Sequence, residues 1–434
     1  MKHLRGLTIL AVAASLEGCG QNQNPPLPPP APPRTPVVKA KPVEEAEPKP
    51  DHKSIVTLTP GAAAHARALM VEVGAKYVRV SVSSEFEYNL HAESHRDRSE
   101  DDFGESLGVP IVVDRVSASR FEAGLRVDLL AGQDPPSFRF TPVDPDRGRR
   151  LTLVEARKGF RTTLARRVSA DFTGVGQPPR KVFRAVEYPT PLGKMSAFLT
   201  PDPKDGKLYP AIIWITGGDC NSIDKGCWEE GPANNDQSAS AYRKAGIAMM
   251  FPSLRGGNSN PGVKEGLFGE VDDVLAAADY LRKQPFVDPE RIYLGGHSTG
   301  GTLALLTAEC SDRFRAVFSF GPVDDMAGYD AEYKPFSTKD PKELQLRAPG
   351  RWLHAIASPV FVFEGSGGNW QPLRAMARAS KNPNVKFFEI KNGDHFGVLG
   401  PTNKLIAQKI LADTGPKCDL RFDEDELNKP FAKR

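Results

Sequence analysis

Between residues 181 and 414, continuously apolar runs alternate with stretches whose apolar residues recur at helical spacing. This alternation limits the fold more than any other feature of the chain. The runs include "YPAIIWITGG", "IAMMFPSLRGG", "RIYLGG", "AVFSFG", "PVFVFEG" and "VKFFEIKNG". Between and after them lie "DQSASAYRKAG", "FGEVDDVLAAADYLRKQ", "TLALLTAEC", "LRAMARAS" and "TNKLIAQKILAD". In the second of these, Val271, Val274, Leu275 and Ala278 share one helical face. Repeated β–α alternation predicts an α/β fold, a doubly wound and mostly parallel sheet with helices on both faces.

One junction in this series is unusual. "RIYLGGHSTGGTLALL" places Gly296-His297-Ser298-Thr299-Gly300 between a strand and a helix. In that setting G-x-S-x-G is a tight turn that presents the serine hydroxyl at the C-terminal edge of the sheet. The glycines admit close backbone neighbours, and the following helix N-terminus favours developing negative charge. Ser298 is therefore the expected nucleophile. A serine nucleophile needs a base. His395, in "NGDHFGVLGP" after the last strand, is placed to be one. His297 is expected to point elsewhere, as a structural or pocket-lining residue. Backbone N–H groups should bind the oxyanion: Thr299 just after the nucleophile, and Gly218 or Asp219 in the "TGGD" that follows the first buried run.

From "FPSLRGG" through "FGEVDDVLAAADYLRKQPFVDPERIYLGGHSTGG" the chain resembles the catalytic domain of the prolyl oligopeptidase family of α/β-hydrolases. The likeness runs over about residues 181–414. It implies Ser–His–acid chemistry on esters or amides through an acyl-enzyme. The family's aspartate is expected shortly after "PVFVFEG", but there the loop reads "EGSGGNWQP", with Gly368 and Asn369 in the acid's place. Asp325, at the end of the preceding strand, is the first substitute and Glu364 the second. Asp394 adjoins His395 and is badly placed to reach its far nitrogen. The peptidases of that family also carry a β-propeller. The N-terminal part here is too short and wrongly patterned for one, so peptidase specificity does not transfer.

Residues 1–19 read as a lipoprotein-type signal: Lys2 and Arg5, an apolar stretch from Leu7 to Leu16, then Gly18-Cys19. Leu16-Glu17-Gly18-Cys19 resembles a bacterial lipobox, which implies lipidation of Cys19 and a mature protein anchored to a membrane outside the cytoplasm. Residues 20–53 form a proline-rich tether. Residues 54–145 read as a small α+β domain. Thr59 and Pro60 open its helix, Gly74 closes it, and "YVRVSVSS", "VPIVVD", "GLRVDLL" and "SFRF" are its strands. Its order of "LTPGAAAHARALM", "VPIVVD", "GLRVDLL" and "FRF" resembles the A-type iron–sulfur carriers (HesB/IscA-like). That likeness implies a bound iron–sulfur cluster, but no cysteine lies between Gly20 and Asp219. Cluster ligation needs thiolates, so no cofactor is expected, and a spacer or protein-docking role takes its place. His91 and His95 are read as surface residues and no metal site is assigned. Residues 146–180 read as a connector and 415–434 as a charged tail.

The net charge of +3 is too small to argue for a nucleic-acid partner. Of the five cysteines, Cys220 and Cys227 are close enough in sequence for a disulfide that spacing alone cannot establish. The expectation is an exported serine hydrolase acting on a small ester or peptide. The alternative is a non-catalytic binding protein on a hydrolase scaffold that has lost its acid.

Overall fold

A computed structural model describes residues 55–83, 88–97, 101–120, 124–130, 136–142, 151–165 and 173–432. Cys19 and the tether lie outside them. Residues 50–434 form one compact unit. No helix among the described residues is long and apolar enough to cross a membrane.

The N-terminal module has the expected helix, Pro60–Val73, with proline in its first turn and Gly74 at φ 66° closing it. Its strands form two sheets. One is three-stranded, from Val56–Leu58, Leu125–Leu130 and Ser137–Pro142. The other is four-stranded, in the order Tyr88–Glu93, Tyr77–Val82, Val109–Asp114, Asp101–Ser106. The last strand of the second sheet, Asp101–Ser106, has no apolar alternation, and the first, Tyr88–Glu93, alternates only with partly buried residues. Arg79 explains them: from the central strand it pairs with Glu93 on one side and makes two 2.7 Å bonds to Asp101.

The larger sheet has eight strands: β1 (Arg184–Thr190), β2 (Gly193–Leu199), β3 (Tyr209–Ile215), β4 (Ala248–Pro252), β5 (Val287–His297), β6 (Val317–Phe320), β7 (Val360–Gly365) and β8 (Val385–Ile390). Their spatial order is β1-β2-β4-β3-β5-β6-β7-β8. β3 to β8 run parallel, and β2 is antiparallel to both of its neighbours. Alternate side chains of β3 enter two separate cores: Ala211, Ile213 and Ile215 one, Ile212 and Trp214 the other. This two-sided burial is why the runs read as apolar throughout. The chain has the α/β-hydrolase arrangement, with the small module before it.

The segments read as a connector and a charged tail are built into this domain. In the connector, Thr152 and Glu155 form a capping box on the helix Leu153–Arg157, whose Leu153 is buried. Arg347 is wholly buried with Glu343. It accepts no solvent contact and donates to Thr162 Oγ1 at 2.8 Å, which ties the connector down. In the charged tail, Leu420 and Leu427 are buried, and Phe422 packs edge-on against Phe361 and Phe363 of β7.

Candidate active site

Ser298 lies between β5 and the helix Thr299–Cys310, at φ 56° and ψ −116°. A non-glycine residue there is strained by roughly 1–3 kcal/mol. Its neighbours hold it in place. Ser298 N donates to Phe320 O at the end of β6 at 2.7 Å, and Ser298 O accepts from Thr302 N at 2.8 Å. The next turn is packed against backbone: a Cβ on Gly300 would lie 2.4 Å from Ile215 O and 2.5 Å from Thr216 O. Glycine is required there because the helix start presses on the end of β3.

His395 sits in the loop between β8 and the helix Leu399–Ala412. Its Nδ1 is 2.8 Å from Glu364 Oε2. Glu364 is fully buried near the C-terminal end of β7, and its Oε1 accepts from Gly365 N at 2.7 Å. A carboxylate on Nδ1 holds the proton there and leaves Nε2 as the basic nitrogen. Nε2 carries no hydrogen bond among the described residues. The end of β6 joins this pair to the nucleophile. The Cβ position of Gly321, next to the Phe320 carbonyl that binds Ser298, lies 2.5 Å from His395 Cε1 and 2.6 Å from Glu364 Oε2.

The carboxylate that pairs with His395 is Glu364, where Asp325 was expected. Asp325 does not reach His395; its carboxylate accepts from Ala327 N at 2.8 Å and caps a short turn, Met326–Gly328. An aspartate two residues before a free N–H satisfies itself locally. Glu364 has the longer side chain and the nearer strand end. A Cβ on Gly368 would lie 2.4 Å from Glu364 Oε1. The glutamate carboxyl thus fills the space beside the loop position where the resemblance led us to expect an aspartate. Asn369 precedes the helix Trp370–Ala379 and makes no side-chain cap. Asp394 accepts from Phe396 N and Gly397 N, and so shapes the histidine loop.

The three expected oxyanion donors, Gly218, Asp219 and Thr299, line one cavity of about 290 Å³. Thr299 N, the first N–H of its helix, has no intrahelical acceptor. The loop after β3 lies on the nucleophile: the Cβ position of Gly217 is 3.2 Å from Ser298 Cβ. Several contacts hold that loop. Thr299 Oγ1 donates to Gly218 O at 2.8 Å, and Lys264 Nζ donates to both Asp219 carboxylate oxygens at 2.8 Å. Asn221 Nδ2 donates to Arg255 O and to the buried Glu270. The fixings from Lys264, Asn221 and Glu270 were not legible in the sequence, because each depends on two loops meeting.

Cys220 also lines the cavity; burial pushes its thiol pKa up, which disfavours the thiolate there. Cys220, Cys227, Cys310 and Cys418 are all free thiols. Among the described residues no group of three or more His, Cys, Asp or Glu could hold a metal ion. His297 is not turned away as expected. It is 1% exposed, its ring centre is 4.5 Å from that of His395, and burial pushes its pKa down to about 3.

Comparison with known proteins adds the following. The chain is 26% identical over 179 residues to the uncharacterized peptidase YtmA of Bacillus subtilis, covering 38% of this chain and 66% of that one. It is 29% identical over 175 residues to the alpha/beta hydrolase domain-containing protein WAV2 of Arabidopsis thaliana, covering 36% and 52%. The chain thus spans less than two thirds of the length of these relatives. A solved puromycin-hydrolyzing peptidase of Mycobacterium tuberculosis is 20% identical, with a TM-score of 0.44 over 55% of this chain and 40% of that one. These comparisons give no support to the likeness of residues 54–145 to A-type carriers, nor to a docking role there. The family that matches is the Prolyl oligopeptidase family, over residues 235–365, the span that carries Ser298 and Glu364.

Proposed function

We propose that the chain is a serine hydrolase of the peptidase or esterase kind, with Ser298, His395 and Glu364 as its triad. The observation that carries this reading is the 2.8 Å His395–Glu364 pair at the sheet edge that holds the strained Ser298. His395 Nε2 takes the Ser298 proton as Oγ bonds to the acyl carbon. The carbonyl electron pair becomes an oxyanion, bound by the N–H of Thr299 and of Gly218 or Asp219. Glu364 stabilises the imidazolium, which then protonates the leaving group. Water, activated by the same histidine, breaks the acyl-enzyme. The rival reading of a scaffold without its acid rested on Gly368 and Asn369; the Glu364 carboxylate on His395 Nδ1 supports the hydrolase reading instead.

The cavity beside Thr299 takes the acyl side. Leu267, Met326 and Pro335 supply apolar wall, while Asp219, Lys264 and Glu332 supply charge. Its volume suits an acyl group of modest size. Turnover of p-nitrophenyl esters from two to twelve carbons, and of peptide anilides, tests this. Short esters are expected to exceed the twelve-carbon ester by about tenfold or more in kcat/KM. No turnover of either class would count against the proposal.

For localisation we read Cys19 as a lipidated first residue, from Lys2, Arg5, the apolar stretch and Gly18-Cys19. Two acyl chains there would give stable attachment where one would not. Mass spectrometry of membrane-extracted protein should find a diacylated Cys19 at the mature N-terminus. A soluble mature chain beginning elsewhere would refute it.

A further inference from the structure

We propose that His297, the residue before the nucleophile, is a positioning residue that holds the backbone of His395, with Gln237 fixing which of its ring nitrogens carries the proton. The proposal rests on the hydrolase reading above.

His297 ends β5, paired in register with Phe320 of β6. Its Nε2 lies 3.0 Å from the carbonyl oxygen of His395. A carbonyl can only accept, so Nε2 carries a proton and donates. On the other side of the ring, Nδ1 lies 3.0 Å from Gln237 Nε2 and 3.2 Å from Gln237 Oε1; with the ring proton already on Nε2, Nδ1 can only accept, so the amide nitrogen is its partner. That amide nitrogen is also 2.8 Å from Asn235 Oδ1. Its two N–H groups therefore serve Asn235 and His297, and Nδ1 accepts. A neutral ring has one donor and one acceptor, and both are used. Burial, and the nearby His395, disfavour a second proton on the ring.

The ring has little freedom to leave this position. A Cβ on Gly217 would stand 2.9 Å from Nδ1, so the loop after β3 closes one side. The rings of His395 and Phe396 flank it, at 4.5 and 5.4 Å between centres.

His395 needs such a hold. It sits on a loop, and its side chain is fixed by a single bond, from Nδ1 to Glu364. One bond permits the imidazole to swing about it. Clamping the backbone carbonyl limits that swing and fixes where the loop places the imidazole. A misplacement of about 1 Å at a reacting group can cost about a hundredfold in rate.

The test compares wild type with His297→Leu, His297→Gln and Gln237→Met on a p-nitrophenyl ester. It follows kcat, KM, the rate of fluorophosphonate labelling and thermal stability. His297→Leu should lower kcat and the labelling rate by about ten- to a hundredfold with little change in KM. His297→Gln, which can still offer an amide N–H toward the carbonyl, should recover most of the loss. Gln237→Met should lower kcat several-fold with KM unchanged, and decides the matter should the leucine variant fail to fold. An active wild type whose folded His297 and Gln237 variants keep its kcat would overturn the proposal. A wild type with neither turnover nor labelling would instead overturn the hydrolase reading, and this proposal with it.

Discussion

Glu364→Gln is expected to lower kcat by about three to four orders of magnitude while KM changes little. The substitution keeps the size of the side chain and removes the charge. Glu364 is fully buried, with one oxygen on His395 Nδ1 at 2.8 Å and the other on Gly365 N at 2.7 Å. The uncharged amide loses the electrostatic support of the imidazolium. It can also turn its NH2 toward Nδ1, which drives the proton to Nε2, where it blocks the base. Asp325→Asn should leave kcat within about twofold, because asparagine can still accept from Ala327 N and cap the same turn. Steady-state kinetics on one ester reads both. A fully active Glu364→Gln enzyme, or an inactive and folded Asp325→Asn enzyme, would return the acid to Asp325.

Gly300→Ala should abolish activity and destabilise the domain by on the order of 1–3 kcal/mol. The added methyl would meet two backbone carbonyls, Ile215 O at 2.4 Å and Thr216 O at 2.5 Å. Backbone atoms cannot rotate away as a side chain can, so the helix start or the loop after β3 must move. Either shift separates Thr299 N from the Gly218 and Asp219 donors. Gly328→Ala is the matched control. Its Cβ position has nothing within 4 Å, and its effect should stay within about 0.5 kcal/mol. Denaturant midpoints together with kcat measure both. A Gly300→Ala enzyme as stable and active as the control would show that the elbow is not packed as described.

The placement of Ser298 at a strained strand–helix junction and of His395 in the loop after β8 was legible because local sequence encodes it. The glycines around Ser298 report a tight junction, and His395 follows the last strand and precedes the helix Leu399–Ala412. The carboxylate partner of His395 was not legible, because it depends on which strand-end carboxylate reaches across. Phe320 of β6 is in register with Phe363 of β7, and that pairing sets Glu364 beside His395. Asp325 offered the same chemistry in the sequence, but spends its carboxylate on its own turn. The tail misled for a different reason. Its charges surround Leu420 and Phe422, and only the aromatic cluster of β6 and β7 gives those residues a place to bury. In the N-terminal module the helix was marked by Pro60 and Gly74. The strand Asp101–Ser106 was hidden by carboxylates, of which Asp101 finds its partner, Arg79, on another strand.

The most direct test is to treat wild type and Ser298→Ala with a fluorophosphonate probe and map the adduct by peptide mass spectrometry. The account predicts one adduct per chain on Ser298 in the wild type. It predicts none in the variant, whose circular dichroism should match that of the wild type. A wild type that stays unlabelled, or a variant labelled as fast as the wild type, would contradict it.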